Sequence, residues 1–418
     1  MKKLIVGLAK KNRFLRKTLR YFIDLRKKII YKNACRKWLI QDNIVLFESF
    51  MGRCYSCSPR ALYEEMLKDK DFKDYELVWF FKDVNKRTNL KDLKRATIIE
   101  YDSKEYYQYY AKAKYIITNS RIPDAIKIRE DQVYVQCWHG TPLKILGYDI
   151  KVEGGNALNS VEEIRQKYKT DAERFSYLLS PSKFTSEKLS SCFNLKENNP
   201  NTVVVEEGYP RNVSLFTYNN EDILRIKKEI GIDQVKNKKV ILYAPTWRDN
   251  QHDSGIGYTY ELGIDFDLLR KELADEYIIL FTPHYFVANA FDFDKYKGFI
   301  YNVTHIEEMN ELYIVSDILI TDYSSVFFDY ANLKRPMLFY MYDLEEYQNK
   351  LRGFYFDIKE LPGPISRKET ELIKDIKNIK KNKSKYQQKY QEFNQKFNYL
   401  DDSKASERVI KRIFKEKK

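Results

Sequence analysis

Cysteine and histidine are scarce in this chain of 418 residues, and long apolar runs are missing altogether. Five cysteines (Cys35, Cys54, Cys57, Cys137 and Cys192) make no even disulfide framework, and no secretory signal is visible, so a reducing, cytoplasmic setting is expected. Cys54 and Cys57 stand as a CxxC. No second pair or suitably placed histidine completes a zinc site, and ordinary thiols are the expectation. No apolar run approaches the ~18–20 residues needed to cross a bilayer. The absence of GxxxxGK[ST] excludes a P-loop as the means of holding phosphate.

What is present is ample for folding. Hydrophobic residues make up 43% and aromatics 15% of the chain. Its length points to two domains of about 150–200 residues each. The net charge of +14 is unevenly placed. Residues 1–40 hold fourteen Lys or Arg against one acid, Asp24, a net +13 that leaves +1 for the rest. The basic balance belongs to one end and says little about the body. There Leu15, Leu19, Phe22, Leu25 and Ile29 fall at helical spacing, with Arg13, Arg16, Lys17, Arg20, Lys27 and Lys28 between them. Such a helix suits an anionic membrane surface, where each nearby cation contributes about 1 kcal/mol. A basic helix also binds nucleic acid, or simply docks on its own domain. The aliphatic and aromatic face, with no nucleic-acid motif behind it, favours the membrane and argues against a nucleic-acid partner.

From residue 41 to about 215, short apolar runs alternate with helical or polar stretches: Ile44 to Phe47, Leu77 to Phe81, Tyr115 to Thr118, Val133 to Cys137, Tyr177 to Ser180 and Val203 to Val205. That alternation predicts a parallel sheet wrapped by helices. Ligands bind beyond the carboxyl ends of such strands. His139 stands at one of these ends, between Trp138 and Gly140, with Thr141-Pro142 starting a helix. A neutral imidazole there can take a proton from an attacking hydroxyl. Asn119, Ser120 and Arg121 line the same edge, as cleft residues or as caps. Ser180-Pro181-Ser182 and Gly208 to Arg211 read as strand-end turns, the latter closing the first sheet before a charged helix, Glu221 to Glu229.

The second domain, about 216 to 385, repeats the pattern with runs at Val240 to Tyr243, Tyr277 to Thr282, Phe299 to Val303, Ile318 to Thr321 and Met337 to Tyr340. The stretch from Ser316 to Asp343 reads as strand, polar loop, helix (Val326 to Leu333) and strand, one βαβ unit. Ser324 and Ser325 either cap that helix or, with its free N–H groups and dipole, seat a phosphate. Strand ends here present Thr246 with Arg248, then His284, then Asp322 with Ser324 and Ser325. Guanidinium, imidazole and hydroxyl groups converging on one sheet edge predict a bound diphosphate. Arg352, in Arg352-Gly353-Phe354-Tyr355-Phe356-Asp357, adds a second guanidinium. Asp265-Phe266-Asp267 and Asp292-Phe293-Asp294 have DxD spacing but lie away from these ends and are read as helix-start or loop acids, not metal ligands. A Lys-rich tail from Lys377, with its last helix over 386–418, packs back across the domains or stays partly disordered.

Taken together, WHGTPLK at 138–144, SPSKFTSE at 180–187, GYPRN at 208–212, YAPTWR at 243–248, PH at 283–284, SDILITDYSSVFFDYANLKRPMLFY at 316–340, and RGFYFD with PGP at 352–364 resemble the CDP-glycerol glycerophosphotransferase family of bacterial teichoic-acid synthesis. The resemblance covers about residues 115–365 in the expected order. It implies an α/β fold of two Rossmann-like domains facing a central cleft, of the glycosyltransferase-B type, preceded by the basic helical segment 1–40. It also implies transfer of polyol phosphate from CDP-glycerol or CDP-ribitol to a lipid-linked acceptor at the inner membrane face, without a cofactor. Under it, His139 and His284 are the catalytic residues, His139 as the base and His284 at the diphosphate; Arg248, with Thr246, Ser324, Ser325, Asp322, Thr141 and Arg352, binds the substrate. Long polymerases of the family carry extra domains before the catalytic half, and only some forty residues precede it here, which tilts the reading toward addition of one or a few units. A nucleotide-sugar glycosyltransferase of the same build and a non-catalytic polymer-binding protein remain the alternatives.

Overall fold

Runs of β-branched and aromatic residues, apolar on both sides, become parallel strands because each face of the sheet is covered. The structure is a computed structural model that describes residues 13–87, 90, 93–151, 160–246, 252–253, 257–258, 263–283, 291–345 and 353–416. Strands β1 (Gln41–Glu48), β2 (Glu76–Phe81), β3 (Ala96–Glu100), β4 (Ala113–Thr118), β5 (Val133–Gln136), β6 (Tyr177–Ser180) and β7 (Val203–Glu206) form a parallel sheet in the order β3-β2-β1-β4-β5-β6-β7. After β8 (Lys239–Ala244) comes a short antiparallel pair, β9 (His252–Asp253) and β10 (Gly257–Tyr258). Then follow β11 (Tyr277–Phe281), β12 (Ile300–Asn302), β13 (Ile318–Thr321), β14 (Met337–Tyr340) and β15 (Ile365–Ser366). With β8 they make a second parallel sheet, ordered β12-β11-β8-β13-β14-β15.

Counted from its own first strand, each sheet begins 3-2-1-4-5-6, the order of a doubly wound α/β sheet. The order in which the chain adds strands therefore reverses between β1 and β4 in the first half and between β8 and β13 in the second. These switch points are where such sheets open a crevice. Two core clusters flank each sheet: Ile44 and Leu46 face one side of the first, Val45 and Phe47 the other. Likewise Val240 and Leu242 face one side of the second and Ile241 and Tyr243 the other. Strands β3 and β15 escaped the sequence reading. Ala96–Glu100 is only partly buried and edges the first sheet, and Ile365–Ser366 is two residues long.

The basic segment forms a helix, Arg13–Lys37. It does not stand apart from the body as an appendage. Tyr31 and Ala34 are buried in the first half's core, the Tyr31 hydroxyl donates to the Lys127 carbonyl, and Lys27 pairs with Asp102 at 2.8 Å. Its outer face carries Phe22, Leu25 and Ile29, all exposed. No helix among the described residues is long and apolar enough to cross a membrane. At the other end, helices Glu369–Lys377 and Gln387–Phe397 pack on the second half, and Ala405–Ile410 returns to the first, where Val409, Ile410 and Ile413 join its core.

Candidate active site

Two loops meet at the switch points, one from each half. In the first half, β4 ends at Thr118 and passes into buried Asn119. Asn119 works twice. Its side-chain Oδ1 accepts the Phe50 N–H at 2.8 Å, and its carbonyl accepts from His139 Nδ1 at 2.8 Å. A carbonyl can only accept, so Nδ1 carries the proton and the lone pair of Nε2 is left to act as base. Ser120 Oγ accepts the Met51 N–H at 3.0 Å, and Arg121 pairs with Asp171 at 2.6 Å. So these three residues, read from sequence as cleft lining or caps, chiefly hold the first wall together.

Strain collects on this wall. Phe50, Met51, Cys57 and Trp138 all have positive φ (48°, 60°, 65° and 53°), a region that non-glycine residues seldom occupy. The imidazole stacks on Trp138 (ring centroids 4.5 Å, 30° between planes) and meets Phe50 edge-on at 6.0 Å. His139 is exposed to solvent as a residue. Desolvation of its side chain, opposed by the Asn119 carbonyl and helped by the charge of Arg211, lowers its pKa and so favours the neutral ring.

In the second half, Asp322 and Thr246 sit at the ends of β13 and β8. Asp322 is buried, and its Oδ1 accepts the N–H groups of Thr246 (2.8 Å) and Tyr323 (2.6 Å). Thr321 Oγ1 adds a bond to the Ala244 carbonyl at 2.7 Å. Asp322 thus ties the two loops at the switch point. Ser324 and Ser325 follow, half-buried. The helix after them, Val326–Tyr330, is a single α turn continued by the 3₁₀ turn Ala331–Leu333, so its dipole is smaller than the sequence pattern promised. Ser325 makes no side-chain capping bond; the Val326 N–H reaches Ser324 Oγ at 3.5 Å.

The walls touch at Gly140. A Cβ built there would lie 2.8 Å from Ser325 Oγ, so only glycine lets the His139 loop approach the serines this closely. Thr141 does not face the cleft. It is buried, with Thr185 Oγ1 donating to its hydroxyl at 3.4 Å. Beyond it, residues 143–146 pair in antiparallel fashion with 353–355 of the other half: Ile145 N–H to the Gly353 carbonyl and Tyr355 N–H to the Leu143 carbonyl, both 2.9 Å. The Tyr355 hydroxyl accepts from Leu146 N–H at 3.1 Å and donates to Asp149 at 2.6 Å. Sequence reasoning found RGFYFD but had no signal for this pairing, because a two-residue bridge leaves no periodicity. Arg248, His284 and Arg352 lie outside the described residues. Of the DxD acids, Asp265 caps helix Phe266–Leu273 and Asp267 pairs with Lys295 at 2.6 Å. Among the described residues no group of three or more His, Cys, Asp or Glu is placed to hold a metal ion.

Comparison with known proteins identifies a family. The model of the CDP-glycerol:poly(glycerophosphate) glycerophosphotransferase family matches residues 29–415. The chain belongs to that family. It is 40% identical to the teichoic acid poly(glycerol phosphate) polymerase of Bacillus subtilis over 99% of its own length but only 55% of that protein's. It is 36% identical to the teichoic acid glycerol-phosphate transferase of Staphylococcus aureus over 90% of its length and 94% of that protein's. Among solved structures, a substituted form of the wall teichoic acid polymerase TagF soaked with CDPG superposes with a TM-score of 0.84 at 37% identity, covering 96% of this chain and 97% of that one. The family members matched thus include both a protein nearly twice as long and one of similar size.

Proposed function

We propose that this chain transfers glycerol phosphate from CDP-glycerol to the hydroxyl of a polymer acceptor in teichoic-acid or capsule-type synthesis, releasing CMP. The observation that carries the reading is the meeting of a neutral, correctly tautomeric His139 with the Ser324–Ser325 loop across Gly140, at the switch points of two sheets. In this reading the two halves are Rossmann-like lobes of the glycosyltransferase-B type facing a central cleft. The acceptor hydroxyl gives its proton to His139 Nε2. Its oxygen attacks the β-phosphorus, and the bond from that phosphorus to the bridging oxygen breaks, so that CMP departs with the electron pair. Ser324, Ser325, Arg248, His284 and Arg352 hold the diphosphate and stabilise the charge that grows on the leaving phosphate. The acceptor is lipid-linked, at the cytoplasmic face of the membrane. The exposed Phe22, Leu25 and Ile29 enter the anionic surface while Arg26, Lys28 and Lys32 of the same helix face its headgroups.

A donor panel tests the chemistry. Incubated with a lipid-linked acceptor and CDP-glycerol, CDP-ribitol or UDP-sugars in turn, the protein releases CMP from CDP-glycerol. Release from UDP-sugars instead makes it a glycosyltransferase, and no release from any donor makes it a binding protein. For the surface, flotation with anionic vesicles should be lost when Phe22, Leu25 and Ile29 are changed together to Ser. Undiminished flotation of that variant would discard the membrane face.

A further inference from the structure

The segment between the two halves, read from sequence as a turn that closes the first sheet, carries a buried cation. Arg211 is 7% exposed. Its guanidinium donates from Nη2 to Asp329 at 2.9 Å and lies over the Tyr209 ring, 4.4 Å from the centroid. Its N–H reaches Ser58 Oγ at 3.4 Å, and its carbonyl accepts from Asn310 Nδ2 at 2.6 Å. The next residue extends the knot: Asn212 Nδ2 donates to Asp329 (2.9 Å) and to Asp401 (2.7 Å), which also accepts the Tyr209 N–H (2.8 Å). Asp329 sits on Val326–Tyr330, the turn that begins at Ser325. On the other side, Arg211 Nη1 lies 3.9 Å from Cys57 Sγ, on the wall that holds His139. Nε has no hydrogen-bond partner among the described residues. So one guanidinium is bonded to the hydroxyl-bearing turn through Asp329 and lies beside Cys57 on the wall that holds the base, where its charge is felt by His139.

We infer that Arg211 is a positioning residue for the transfer reaction, a buried cation that locks the Ser325-bearing turn of the second half in register with His139 of the first. This rests on the reading of His139 as the base. Two consequences separate it from a merely structural role. The first is geometric: loosening the lock misplaces the donor relative to the base, which costs about 10–100-fold in kcat. The second is electrostatic. The groups facing His139 are Arg211, the Asn119 carbonyl, the Trp138 and Phe50 rings and, across Gly140, the Ser325 hydroxyl. Facing Arg211 are Asp329, the Tyr209 phenol and the Cys57 thiol, with Asp401 behind Asp329 and Glu308 beside Cys57. Burial raises the thiol and phenol pKa values, so these groups stay uncharged. Among the charged groups, Arg211 lowers the pKa of the imidazole, and Asp329, as its bonded partner, offsets part of that cation's field.

The acid limb of kcat/KM reports the protonation of the base, so it moves with the pKa of His139. Arg211→Met removes the positive charge and should raise that limb. Asp329→Asn leaves the cation without its carboxylate and should lower it. Arg211→Lys keeps the charge without the planar fork and should hold the limb in place while kcat falls. These profiles are read from CMP release across pH 5–9, with thermal unfolding confirming that each variant is folded. A folded Arg211→Met with unchanged kcat and an unmoved limb overturns the proposal. If that variant does not fold, an unmoved limb in Asp329→Asn overturns it equally. Turnover that survives in His139→Gln sinks the base assignment, and the locking role then stands or falls on the kcat of Arg211→Lys.

Discussion

On the His139 side of the cleft, the polar groups nearest the ring are spent on holding it. Asn119 uses side chain and carbonyl together, Ser120 anchors the Phe50–Met51 turn, and these bonds hold the left-handed backbone of Phe50 and Met51 in place. On the Ser324–Ser325 side, the holding is done by Asp322 and Thr321, and Ser325 makes no capping bond. In the proposed reading, one wall is committed before any ligand arrives and the other offers hydroxyls to one. That division suits a reaction in which a base must be aimed and a diphosphate must be admitted and released.

The sharpest way to break the contrast is to remove the aimed group. His139→Gln keeps a donor for the Asn119 carbonyl but offers no base, and kcat should fall by about 10²–10⁴ while donor affinity changes little. Isothermal calorimetry with CDP-glycerol, beside single-turnover rates, separates the two quantities. Weakened donor binding with unchanged chemistry would move His139 from catalysis to recognition. The opposite wall should answer in the opposite way. Ser324→Ala with Ser325→Ala removes two hydroxyls offered to phosphate oxygens, each worth about 1.5–3 kcal/mol when the partner is charged. Donor affinity should therefore drop at least tenfold, and intact affinity would put the phosphate seat elsewhere.

A third change presses the walls apart without touching either set of groups. Gly140→Ala places a methyl 2.8 Å from Ser325 Oγ, well inside contact distance. The serine loop must yield, and a displacement of that order costs about 10–100-fold in kcat. Pairing it with Ser325→Ala should recover part of the loss, since the hydroxyl is the obstacle. A pair no better than Gly140→Ala alone would mean that the walls are not in contact in the working enzyme.

Much of this was legible in the residues. The strand runs were visible because doubly covered strands are apolar throughout, and the carboxyl-end rule then located His139, Thr246 and Ser324 on facing edges. What escaped had no local pattern. The partly buried edge strand Ala96–Glu100 lacks a full apolar run. The pairing of 143–146 with 353–355 joins residues about 209 apart and is only a bridge long. Asp322 and Thr141 look like ligand residues in sequence because polar side chains at strand ends serve either a ligand or a neighbouring loop. Their partners within the fold, Thr246 N–H and Thr185, could not be read from the sequence. The reach of a side chain across a fold is not written in its neighbours.

The smallest effect concerns stability, and it tests whether the committed wall was built at a cost. Glu48, the last residue of β1 and two before Phe50, is wholly buried. Its Oε2 accepts from the Tyr106 and Tyr110 hydroxyls at 3.1 and 3.2 Å, and Oε1 has no hydrogen-bond partner among the described residues. Burial outweighs the two hydroxyls and the charge of Lys82 and raises its pKa from 4.5 to about 7. A carboxyl whose folded pKa lies above its unfolded value favours the fold fully below the unfolded pKa, and that contribution is lost as pH climbs through the folded one. Between pH 4.5 and about 7 the wild-type protein should therefore lose stability through this group, and above pH 7 it carries an ionised, half-satisfied carboxylate. Glu48→Gln removes the ionisation while keeping the shape. It should match wild type near pH 4.5 and exceed it at pH 8 by on the order of 1–3 kcal/mol in urea unfolding. If the variant is the less stable protein at pH 8, the charge is being held by something that pays it back, and the first wall is not strained in the way its backbone angles and this carboxyl together indicate.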